Sequence, residues 1–193
     1  MSFSVPEIPP EAFSSDGYIV DQDYFSPVRY RTMPANINGC GFIAAYNMRH
    51  FLGQEVTWQE VLEELDAMHT LRIPGPTLMR VMREYLDKYV PGWVETVGRD
   101  EALAAAAGST TGIFRYHEGY EPHFVSFVRQ DNGGFRFFNV ADGLEDFSCS
   151  IEQFGREHFL RGTVIALTVP EEHTCIAGKS ADSPLSSKVQ QKE

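Results

Sequence analysis

The stretch 111–140, TGIFRYHEGYEPHFVSFVRQDNGGFRFFNV, decides the fold class. It holds three short runs rich in aromatic and β-branched residues: 111–116 (TGIFRY), 123–129 (HFVSFVR) and 135–140 (FRFFNV). Runs of this composition, bounded by turn residues, read as strands. Asn132-Gly133-Gly134 lies between the last two and supplies the positive-φ positions of a tight hairpin. Downstream, Ser150 and Gln153 have capping-box spacing ahead of a helix running to about His158, and 163–169 (TVIALTV) reads as a last strand.

Upstream of 111 the period is helical. Residues 41–52, GFIAAYNMRHFL, are apolar on nearly every side, which marks a buried helix, and Gly53 is its natural stop. Thr57-Trp58-Gln59-Glu60 is a capping box, and its helix carries Val61, Leu62, Leu65 and Met68 on one face. A third helix follows Pro76 with Leu78, Val81, Met82 and Tyr85 at helical spacing, and a short fourth covers 100–107 up to Gly108. Helices followed by an antiparallel sheet predict an α+β domain, not a doubly wound parallel one.

Outside this block the chain changes character. Residues 1–27 contain four prolines and read as an extended arm anchored by Tyr18, Val20, Tyr24 and Phe25. Residues 28–170 form the predicted domain, and 171–193 are polar, lack aromatics and read as a flexible tail. At 193 residues the chain has room for one real core. Sixteen basic against 27 acidic side chains give a net charge of −11, which argues against nucleic acid and against an anionic membrane surface as partners. No run approaches the roughly 18–20 apolar residues of a membrane span. The N-terminus lacks the basic and apolar regions of a secretory signal, and three scattered cysteines do not make a disulfide framework. A cytoplasmic location with reduced thiols is the expectation.

Chemistry concentrates at three places. In Asn38-Gly39-Cys40-Gly41 the cysteine stands at the start of the buried helix, where the helix dipole and free N–H groups would favour a thiolate nucleophile. The flanking glycines would let a substrate backbone approach. His123 opens a strand and has the chemistry of a general base. Asn139 closes the next strand, beside His123 across the hairpin, where its side chain would accept the imidazole N–H; Asp142 is the alternative orienter. Each alone has an ordinary structural explanation, as a buried thiol, a rim histidine or a strand-ending Asn. Together they form an ordered Cys–His–Asn set. His117-Glu118, His123 and Asp142 lack the paired spacing of a zinc site, so no metal is expected. Cys149 reads as structural and Cys175 as a tail thiol.

With 38–52, 123–125 and 137–139 in view, the chain resembles the papain-like cysteine peptidases, nearest to the compact branch that trims double-glycine leaders. The resemblance spans roughly residues 30–170. It implies a helical half carrying Cys40, a sheet half carrying His123 and Asn139, a thiolate–imidazolium pair, and attack on a peptide or other amide substrate through an acyl-enzyme, with no metal or organic cofactor needed. Two positions depart from that family. Pro34 stands where it usually has the oxyanion glutamine, leaving Asn36 or Asn38 to supply a side-chain amide, and Gly39 stands where many leader peptidases have an acid. The same Cys–His–Asp order resembles transglutaminases and arylamine acetyltransferases, which implies acyl transfer as an alternative. An inactive papain-like binding domain is the third reading, with the missing glutamine as its support.

Overall fold

The computed structural model describes residues 6–70, 74–119, 121–140 and 147–171. Asp142, Cys175 and the tail from 172 onward lie outside the described residues. The arm contains two 3₁₀ turns, Pro10–Ala12 and Gln22–Phe25. A small hairpin of β1 (Arg29–Tyr30) and β2 (Met33–Pro34) leads into α1 (Ala35–Asn38), α2 (Cys40–Phe51), α3 (Trp58–Met68) and α4 (Met79–Tyr89). Then follow β3 (Val94–Val97), α5 (Arg99–Ala107), β4 (Ser109–Glu118), β5 (Glu121–Arg129), β6 (Phe135–Phe138), β7 (Phe147–Cys149), α6 (Ile151–His158) and β8 (Ile165–Pro170). No described helix is long and apolar enough to cross a membrane.

The fold is α+β. Its main sheet has six strands in the order β3-β8-β4-β5-β6-β7, and every neighbouring pair is antiparallel. Strand alternation sends side chains to opposite faces. Ile113, Phe124 and Leu167 pack with α2, α3 and α4, while Phe114, Val125, Phe127 and Ala166 pack with α5 and α6. The sheet is therefore covered on both faces, and each layer is bound by its own apolar cluster.

α2 is the central helix, buried from Cys40 through Arg49. Arg49 Nη1 ties it to its neighbours, donating to Glu64 Oε2 on α3 (2.7 Å) and to the Tyr85 hydroxyl on α4 (2.6 Å). The capping box at Thr57 and Glu60 forms with both reciprocal bonds. The aromatic residues Phe135, Phe137 and Phe138 are buried in the sheet.

Several elements differ from the sequence reading. Leu78 is not on the apolar face of α4; it precedes the helix and is half exposed. The run 135–140 stops being a strand at Phe138, because Asn139 takes a left-handed φ of 62°. β3, β7 and the β1–β2 hairpin were not expected. Edge strands this short carry too little apolar pattern to read, as VETV in β3 illustrates. The arm is integral to the core: Ala12, Ile19 and Phe25 are fully buried.

Candidate functional site

α1 ends at Asn38, Gly39 caps it, and α2 begins with Cys40. Two close approaches explain the glycines around the thiol. A Cβ at Gly39 would lie 2.3 Å from the Ala35 carbonyl oxygen, and one at Gly41 would lie 2.2 Å from Thr77 Oγ1. Both glycines therefore have a packing reason within the chain. Gly41 lets Thr77 seat against α2, where its hydroxyl bonds the Tyr30 hydroxyl at 2.8 Å. That contact draws the Gly75-Pro76 segment up to Cys40.

Cys40 and His123 line one cavity of about 510 Å³, together with Gln22, Ile37, Asn38, Gly75, Pro76 and Glu121. The cysteine itself is only 4% exposed. Burial pushes its thiol up to about 11. The N–H groups of Phe124, Gly41 and Cys40 and the charge of Arg115 pull the other way without overcoming it. The expected lowering at the helix N-terminus is thus reversed by desolvation. His123 is partly buried, and burial lowers its pKa against the opposing Asn139 carbonyl. A raised thiol and a lowered imidazole both favour the neutral forms.

Asn139 meets His123, but through its backbone. His123 Nε2 lies 2.6 Å from the Asn139 carbonyl oxygen. A carbonyl can only accept, so Nε2 carries the proton and Nδ1 keeps the lone pair of a base. The expected side-chain contact does not form. Asn139 Oδ1 instead accepts from Gln22 N–H at 2.9 Å, and the Asn139 N–H donates to the Val20 carbonyl at 2.8 Å. Of the expected oxyanion donors, Asn38 spends its amide N–H groups on the carbonyls of Tyr30 (2.8 Å) and Gly75 (3.1 Å). Asn36 is not among the residues lining the cavity; its carbonyl accepts from Gln22 Nε2 at 2.9 Å.

Gln22 is the residue that sequence reasoning missed. It reaches the cavity because the arm is pinned to α2. Asn47 lies two turns beyond Cys40, and its side chain accepts from Ile19 N–H (2.8 Å) and donates to the Ile19 carbonyl (2.9 Å) and to Ser126 Oγ (3.0 Å). Asp16 and Arg136 hold the arm to β6 at 2.6 Å. The next 3₁₀ turn then places Gln22 in the cavity wall. It brings an amide to a site whose nearby sequence lacks the expected glutamine.

Among the described residues no three His, Cys, Asp or Glu are grouped to hold a metal. Cys149 lies on β7 away from the cavity, and burial pushes its thiol up to about 11 as well. No protein-family model and no curated protein matches the chain.

Proposed function

We propose that the chain is a papain-like cysteine hydrolase that cleaves a peptide or other amide through an acyl-enzyme on Cys40. The observation that carries this reading is the shared cavity. A thiol at the first residue of α2 and an imidazole with its Nε2 proton anchored border the same space.

In this reading Cys40 Sγ attacks the substrate carbonyl carbon while His123 Nδ1 takes the thiol proton. With the thiol held high, proton transfer accompanies attack and does not precede it. The carbonyl electrons move onto oxygen, where the Cys40 N–H and the Gln22 side-chain amide are the donors. Collapse breaks the C–N bond, and His123 returns the proton to the departing amine. Water then attacks the thioester with His123 as base, releasing the acid and restoring the thiol.

A second reading, a binding domain without turnover, is favoured by the raised thiol pKa. A mixed peptide library separates the two. New amino termini formed by the wild type and absent with Cys40→Ala support the hydrolase. Retained peptide binding without any new termini supports the binding domain. Adding an amine acceptor distinguishes transfer from hydrolysis.

A further inference from the structure

We propose that the smaller cavity beside the catalytic one is an oxyanion-binding subsite that takes a carboxylate or phosphate group of the peptide substrate. The substrate role rests on the hydrolase reading; anion binding does not. This cavity, of about 230 Å³, adjoins the Cys40 cavity at the Gly75-Pro76 segment, which lines both. Arg31, His69 and Arg80 line it, and no carboxylate is among the described lining residues. The chain has 27 acids, yet none falls between Asp66 and Glu84.

Each basic group is held differently. Arg31 is 7% exposed, and its Nη1 donates to the carbonyls of Gly75 (3.2 Å) and Pro76 (2.5 Å). It sits in the β1–β2 turn with Thr32, both at positive φ (48° and 75°), a conformation that β-branched and long side chains adopt at a cost. His69 is 8% exposed. Its Nδ1 lies 2.7 Å from the Leu65 carbonyl and so must carry the proton, while Nε2 is buried with no hydrogen-bond partner among the described residues. Arg80 reaches from α4 and pairs with Glu84 at its exposed side. Guanidinium groups bind carboxylate and phosphate oxygens with matched geometry. The groups facing His69 are Arg31, Arg80 and Asp66, with the Tyr30 ring edge-on at 6.0 Å. An anion arriving there would let Nε2 take a proton and donate to it.

The test titrates inorganic phosphate and glutarate, at constant ionic strength with chloride as control, while the His69 ring nitrogens are followed by NMR. His69→Gln assigns the signal. A saturable shift is expected, weakened about tenfold or more by Arg80→Glu and unchanged by Arg156→Glu on the far side of the sheet. Arg80 is exposed enough that its substitution leaves the fold intact. No saturable shift, or the same shift in Arg80→Glu, overturns the site whether or not Cys40 turns over any substrate. For the substrate role, peptides carrying Glu, phosphoserine or Gln at one position are compared. Faster cleavage of an acidic form, lost in Arg80→Glu, supports it and tells carboxylate from phosphate. Equal kcat/KM for all three overturns that role, and absence of all cleavage overturns the hydrolase reading while the titration decides the anion site.

Discussion

His123 Nε2 lies 2.6 Å from the main-chain carbonyl of Asn139, and the Asn139 side chain turns away to the arm, accepting from the N–H of Gln22. The group that orients the imidazole is therefore a peptide carbonyl placed by a left-handed residue with φ 62°.

This arrangement predicts an unusual substitution pattern at position 139. Glycine keeps both the carbonyl and the positive φ, whereas alanine must adopt a left-handed backbone at a cost of about 1 kcal/mol. Asn139→Gly is expected to lose at most about 100-fold in kcat, this loss coming from the Gln22 N–H that Oδ1 no longer holds. A triad oriented by the side chain would lose about 10⁴-fold on losing its orienter's function. Steady-state kinetics of Asn139→Gly and Asn139→Ala, with denaturation midpoints, check this.

Cys40 predicts a pH dependence of stability. Burial raises its pKa from 9.0 to about 11, so folding disfavours the thiolate. The associated stability is complete below about pH 9 and is lost as pH rises through about 11. Two units correspond to about 2–3 kcal/mol. Cys40→Ala should lose less stability than wild type over that interval, by an amount of this order. Tyr30 and Tyr85 also have raised pKa values but titrate in both proteins, so the difference isolates the thiol. Parallel curves from guanidinium denaturation would show that the thiol is not buried as described.

Gln22 predicts a rate effect. Gln22→Glu keeps the shape but removes the amide donor, together with its bond to the Asn36 carbonyl. The kcat should fall about 100-fold with KM little changed, as for loss of one oxyanion donor. A change confined to KM would assign Gln22 to substrate binding instead.

Asn47 predicts a coupling between arm and site. Asn47→Ala leaves Ile19 N–H, its carbonyl and Ser126 Oγ without their buried partner. A loss of about 2–4 kcal/mol is expected from unsatisfied groups of this kind. Limited proteolysis should then cut the arm before the domain, and the kcat should fall with the displaced Gln22.

The parts of this architecture that were legible in the sequence are those whose signal is local. The apolar run of α2, the capping box at Thr57 and Glu60, and the Asn132-Gly133-Gly134 hairpin each depend on neighbours within a few residues. Cys40 followed from the helix it begins, whereas His123, read as opening a strand, is the third residue of β5, which starts at Glu121. What escaped depends on distant contacts. β8 pairs between β3 and β4, strands far from it in sequence, so the sheet's order has no local signature. Gln22 sits in the cavity because Asn47 grips Ile19, a contact between arm and helix that no motif encodes. The Asn139 contact was expected at the right residue but through the wrong atom, since the left-handed turn exposes the carbonyl. The thiol's pKa was read from the helix terminus, whereas its burial acts in the opposite direction and raises it.

The most direct test of the central claim is intact-mass analysis of the acid-quenched protein after brief exposure to an activated acyl ester. The account predicts one acyl adduct, mapping to Cys40, absent in Cys40→Ala and formed at least about 100-fold more slowly in His123→Ala. Equal acylation of wild type and His123→Ala, or an adduct mapping to Cys149, would contradict it.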